Sequence, residues 1–128
     1  MKEIRDRIKE FRKITVGELK ENPKNWRTHS DWQKSVFKSV MESVGFAGTI
    51  IAYESERNDN ALTLIDGHMR IEEIEDTTEV PVLILDVNDE EADLLLATYD
   101  PIGSMAASDS GQLADLLRNI QADDVILS

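Results

Sequence analysis

Apolar residues recur along this chain in short runs whose period changes from run to run. Between residues 31 and 44 the period is helical: Trp32, Val36, Val40 and Val44 fall every fourth residue, with Phe37 and Met41 beside them. That is one broad apolar stripe, with Ser30 or Asp31 as the helix cap and Gly45 as its stop. Phe11 to Val16 sets Phe11, Ile14 and Val16 beside Arg12 and Thr15, which predicts a first strand. Thr49 to Tyr53 and Ala61 to Ile65 predict two more, joined by a polar loop holding Asn58, Asp59 and Asn60. Asp66-Gly67-His68 breaks the third strand, and a short helix follows to about Asp76. Val80 to Val87 is a β-branched run and predicts the fourth strand.

Asn88 or Asp89 caps a further helix that carries Ala92, Leu95, Leu96 and Tyr99 at helical spacing. Asp100-Pro101 is expected to end it, since proline bars a helical residue before it. Ile102 to Ser110 is expected to be loop, and Gln112 to Ile120 a last amphipathic helix. At the other end, Met1 to Glu10 places Ile4 and Ile8 in a charged stretch, a short helix or a tail. The order β-α-β-β-α-β-α-α is that of an α+β, or mixed α/β, domain with a small mixed sheet flanked by helices. The expected organisation is an N-terminal segment 1–10, a domain 11–100, and a loop-plus-helix segment 101–128 that could lead into a further domain.

Composition narrows the chemistry. At 128 residues the chain is one domain, and 41% hydrophobic with 31% charged residues is a globular balance. Without cysteine there is no disulfide scaffold, thiolate zinc site or thiol nucleophile, and two histidines argue against an all-protein zinc site. No apolar stretch is long enough to span a membrane, and the charged N-terminus is no secretory signal, so a cytoplasmic location is expected. The net charge of −12 is uneven: residues 1–40 hold 11 Lys/Arg against 6 Asp/Glu, and the remainder 3 against 20. A basic N-terminal edge able to meet phosphate on an otherwise repulsive body fits that asymmetry, as does an acidic surface kept for solubility.

The most informative stretch is Leu64-Ile65-Asp66-Gly67-His68-Met69-Arg70. A strand entering a helix through glycine offers backbone N–H groups to an anion, and Gly67 lets the backbone approach one closely. His68 and Arg70 then lie in the first helical turn and Glu72, Glu73, Glu75 and Asp76 near its end, both against the helix dipole. A bound phosphate reverses the argument for the cations, with Arg70 forming a forked contact and His68 a second. The plain alternative is that Asp66 caps the helix, Gly67 makes the turn and both cations are solvated. The loop Asn22-Pro23-Lys24-Asn25-Trp26-Arg27-Thr28-His29 gathers cations, amides and an indole, and is either a second binding element or a connector docked by Trp26. Lys34 and Lys38 read as a solvated helix face. Asp89, Glu90, Glu91 and Asp93 read as first-turn acids that stabilise a helix start.

Asn22-Pro23 with Arg27 and His29, the helix closing on Val44-Gly45, the Asp66-Gly67-His68-Met69-Arg70 junction and Val80-Pro81-Val82, in that order, resemble the N-terminal domain of the ParB/sulfiredoxin superfamily. The likeness covers about residues 11 to 100, and the tail Leu94 to Pro101 with Met105-Ala106 looks like ParB-like, nuclease-labelled domains of phage and bacterial genomes that neighbour DNA methyltransferases. The resemblance implies a site for nucleotide phosphate built from Asp66, Gly67, His68 and Arg70 with Asn22, Arg27 and His29. In ParB proteins a Gly-Glu-Arg-Arg-x-Arg motif holds the triphosphate of CTP. Here Gly67 and Arg70 match it, while His68, Met69 and Glu72 replace its glutamate and two arginines. Sulfiredoxin activity is excluded by the lack of cysteine. A third branch, free-serine kinases, shares the Asp-Gly-His-x-Arg signature and uses a carboxylate base, for which Glu18 and Glu21 lie near the right loop. The implied function is nucleotide or phosphate binding in DNA partition or modification. The alternative is phosphoryl transfer or phosphodiester cleavage. The implied cofactor is CTP or ATP with Mg2+. The implied partners are the nucleotide, DNA along the N-terminal basic edge and a methyltransferase, with no membrane.

Overall fold

Strands β1 (Ile8–Thr15), β2 (Ile50–Ser55), β3 (Ala61–Asp66) and β4 (Glu79–Leu85) form one mixed sheet in the order β1-β4-β2-β3. In this computed structural model, residues 3–25, 30–106 and Arg118 are described. The helices are α1 (Asp31–Ser43), α2 (His68–Glu72) and α3 (Asp89–Ala106). β4 runs antiparallel to β1 and parallel to β2, and β2 and β3 form the expected hairpin. The α+β architecture and the mixed sheet are those the sequence pattern predicts.

Alternation decides which residues face which layer. On one face Ile14, Ile50, Ala52, Leu64, Val80, Val82 and Ile84 are buried together with Val16 and Leu19, and Phe46, Ile71 and Ile74 pack over them. On the other, Tyr53 and Ile65 are buried under Ala92 of α3, with Ile51, Leu85 and Leu95 alongside.

Each long helix starts on a reciprocal cap. Ser30 Oγ accepts from Gln33 N–H at 3.1 Å while Gln33 Oε1 accepts from Ser30 N–H at 2.9 Å, so Ser30 rather than Asp31 is the cap of α1. Asn88 and Glu91 repeat the arrangement for α3, at 2.8 and 3.1 Å. Asp89 does more than favour a helix start: its carboxylate accepts from Tyr53 Oη at 2.7 Å and Ser55 Oγ at 2.5 Å, fixing α3 to β2. α1 is held more lightly. None of its side chains is buried, and Trp32 and Val44 stay exposed.

Several boundaries differ from expectation. Residues 3–7 have no regular structure, and β1 begins at Ile8 instead of Phe11, so no N-terminal helix forms there. The strand extends because its backbone pairs with β4 (Ile8 opposite Leu85) and because Arg7 grips the Asp86 carbonyl and the Glu91 carboxylate. α2 stops at Glu72 rather than near Asp76, as the acids gathered at its end would favour. α3 continues past Pro101 to Ala106, where a loop was expected. The proline removes the helical partner of the Ala97 carbonyl, and Ala97 is exposed, so solvent can serve that group. The expected helix at 112–120 lies outside the described residues except for Arg118, which is helical.

Gly67 makes the turn from β3 into α2. Its φ of +113° is left-handed, and a Cβ there would collide with Ile50 Cδ1. The space beside its Cα is therefore filled by core, and the glycine serves packing as well as conformation.

Two outcomes follow. Gly67→Ala is expected to cost about 3 kcal/mol, from the left-handed φ and the overpacked Ile50 together, read by urea denaturation. The Arg7 guanidinium, helped by the Asn88 N–H, holds the Glu91 carboxyl down to about 2. A carboxyl depressed in the folded state stabilises above its unfolded pKa of about 4.3 and loses that contribution as pH falls towards 2. The gap in melting temperature between the parent and Arg7→Met should thus be larger at pH 6 and narrow towards pH 2, leaving at low pH the part due to the Asp86 carbonyl.

Candidate functional site

The loop entered after Leu19 and the β3–α2 turn meet along β3 and at His68. Lys20 bridges to β3: its N–H donates to the Leu62 carbonyl at 2.8 Å and its carbonyl accepts from Leu64 N–H at 2.9 Å. Asn22 then turns inward and is buried. Its Nδ2 donates to the Leu64 carbonyl at 3.0 Å, and its Oδ1 accepts from Lys24 N–H at 2.9 Å, a side-chain turn of the kind asparagine favours. Its backbone N–H donates to His68 Nε2 at 3.2 Å. Asn22 and His68 are thus brought together as the sequence order suggests, but in a buried clasp.

The clasp defines what His68 does. A nitrogen that accepts an N–H presents its lone pair, which places the ring proton on Nδ1. At 6% exposure the imidazole is part of the interior, and its Nε2 is committed to the backbone of Asn22. Asp66, at the end of β3, is half-buried opposite Ile51. Arg27 and His29 lie outside the described residues.

Arg70 is placed differently. Its Nη1 donates to the Thr49 carbonyl at 2.7 Å, and its guanidinium carbon lies 5.9 Å from the centre of the Phe37 ring. Nε and Nη2 donate to nothing among the described residues. Nor does Arg70 share an ion pair there, whereas Arg7, Lys9, Arg12, Lys34 and Arg57 all do. It faces a cleft of about 110 Å³ lined by Phe37, Val40 and Met41 of α1 and by Gly45 to Gly48.

The 45–48 loop is the element that the sequence pattern does not single out. Gly45 takes a φ of +102°, ending α1. Beyond it, the N–H groups of Phe46, Ala47 and Gly48 make no backbone hydrogen bond among the described residues. Gly48 lies 3.8 Å from Arg70 Nη1, measured from where a Cβ would stand. Two glycines three apart between a helix and a strand are the available signal. α2 is one turn long, so its own dipole adds little. An arginine with donors to spare beside a run of unused backbone N–H groups is an arrangement for an oxyanion.

The N-terminal basic edge is partly neutralised within the chain, while Arg5 and Lys13 share no ion pair among the described residues. Arg7 pairs with Glu91 at 2.7 Å, Lys9 with Glu54 at 2.8 Å and Arg12 with Glu10 at 3.6 Å.

Asn22→Ala is expected to lower unfolding free energy by about 2 kcal/mol, since it leaves the buried Leu64 carbonyl and the Lys24 N–H without their partner. His68→Phe, similar in size, strands the Asn22 N–H and should cost about 1–3 kcal/mol. Urea denaturation measures both.

No family model matches this chain, and no curated protein matches it. Solved structures do. The C-terminally truncated chromosome-partitioning protein ParB of Caulobacter crescentus, complexed with CTP-gamma-S, superposes with a TM-score of 0.61 at 15% identity, covering 71% of this chain and 52% of that one. A Pnob8-like ParB-N domain superposes with a TM-score of 0.57 at 18% identity, covering 91% of this chain and 45% of that one. The chain thus spans about half the length of each of these structures. The four-stranded mixed sheet and its helices, superposing on these structures, give this chain the fold of a ParB N-terminal domain.

Proposed function

We propose that this domain binds the phosphates of a nucleotide, as a ParB-type module in DNA partition or a related DNA-associated complex. The observation that carries the reading is Arg70: half-buried, in no ion pair among the described residues, and aimed with free donors at the Gly45–Gly48 loop. The ParB neighbour that carries CTP-gamma-S has the same fold, which makes a cytidine nucleotide the first ligand to try.

The residues fit such a group in part. Arg70 supplies the charge, and the N–H groups of Phe46, Ala47 and Gly48 supply neutral donors. A cleft of about 110 Å³ has room for a phosphate or two and is smaller than the roughly 300 Å³ at which whole-ligand pockets begin. In this arrangement the site takes phosphate, and the base lies beyond it. Magnesium would offset the charge of a triphosphate brought to an acidic domain. His68 and Asn22 support the site by fixing the turn that carries Arg70. DNA contact along the N-terminal edge has less to draw on, since Arg7, Lys9 and Arg12 are already paired.

Calorimetric titration with CTP, ATP, ADP and tripolyphosphate, each with Mg2+, tests this reading. Binding is expected for at least one nucleotide, with Arg70→Ala weakening it roughly 10- to 100-fold, the worth of a charge-assisted contact. Arg70→Lys should recover part of the loss. Tripolyphosphate binding as well as the best nucleotide would make the site a phosphate site without base selection. No binding at millimolar ligand, or equal binding by Arg70→Ala, overturns the proposal. Product formation in the same samples would move the assignment to phosphoryl transfer.

A further inference from the structure

On the other flank of Phe46 and Met41 lies a second, larger cleft of about 240 Å³. Its floor is apolar: Met41 from α1, Phe46, Ile74 after α2, and buried Val80 at the start of β4. Its rim carries Glu42, Glu73 and Glu79, all exposed, against Lys38. None of these carboxylates takes part in an ion pair among the described residues.

We infer that this cleft is a docking site for a cationic peptide segment of a partner protein, one that seats one or two aliphatic side chains between flanking lysines or arginines. Size argues for side chains rather than a whole small molecule, because the volume falls below that of ordinary ligand pockets. Charge argues for a basic partner: three unmatched carboxylates ring an apolar floor, on a chain of net charge −12. An apolar floor inside a polar rim is the general anatomy of a protein-binding patch. The cleft does not include Arg70, so this inference stands apart from the nucleotide reading.

The test uses the full chain, isotope-labelled, and two synthetic peptides. One alternates lysine and arginine with two leucines, and the other replaces the leucines by serines. The leucine peptide is expected to shift the amide signals of Phe46, Ile74, Thr78 and Val80 in heteronuclear correlation spectra. The serine peptide should bind at least about tenfold more weakly. The double variant Glu42→Lys/Glu79→Lys, changed only at exposed positions, should weaken the leucine peptide about tenfold at low salt and flatten its salt dependence. Equal binding of both peptides means unspecific attraction to an acidic protein and overturns the inference. So do shifts confined to other surfaces, and so does no shift at millimolar peptide. Concentration-dependent shifts of the same signals without peptide would assign the cleft to contact between copies of this chain, and would overturn it too.

Discussion

The contact between Gly67 and Ile50 sets the geometry on which the rest depends. Ile50 is fully buried at the start of β2, and the chain at Gly67 passes so close that no side chain fits between them. That close approach turns β3 sharply into α2 directly over the core. It sends His68 inward, where it receives the Asn22 N–H, and carries Arg70 outward to the Thr49 carbonyl, one residue before Ile50. The turn at this glycine thus sets a buried imidazole and a half-exposed guanidinium on opposite sides of the short α2. Any residue with a Cβ would push the turn away from the sheet, and the loop at Asn22 and the α1 end would lose their common anchor.

Charge is handled by local pairing. Four described cations of the N-terminal third, Arg7, Lys9, Arg12 and Lys34, pair with nearby acids, and Arg57 is shared between Asp89 and Asp93. Surface pairs of this kind contribute little each, so their effect is chiefly to hold segments in register. Arg70 is a half-buried cation without an ion pair among the described residues, and its environment explains why it can be spared a counter-ion. A carbonyl and an aromatic face compensate a guanidinium, which is weakly hydrated, without neutralising it.

The sequence makes the period-dependent features legible. The apolar stripe from Trp32 to Val44, the hairpin around Asn58 to Asn60 and the β-branched run from Val80 all appear where their spacing puts them. The strand-glycine-helix junction is equally plain. Less legible is anything decided by a distant partner. β1 shows almost no alternation of burial, since its order comes from backbone pairing with β4 and from Arg7. The passage of α3 through Pro101 depends on exposure that no local pattern records. His68 reads as a candidate phosphate donor because nothing in its neighbours reveals that a residue 46 positions earlier will bring an N–H to it. The Gly45–Gly48 loop escapes notice because backbone donors have no residue type.

The pairing of β1 with β4 also governs when this domain can form. Ile8 lies opposite Leu85 and Thr15 opposite Glu79, so the first strand made waits for the last before it has a neighbour. The intervening chain holds the β2–β3 hairpin, a local unit, but β4 alone joins it to β1. Loop-closure entropy of that scale slows folding relative to a helical bundle of equal length. During synthesis at about 5–20 residues per second, β1 therefore spends several seconds as an unpaired strand. Its own lysines and arginines are suited to that interval, since like charges along an open edge discourage pairing with another nascent chain.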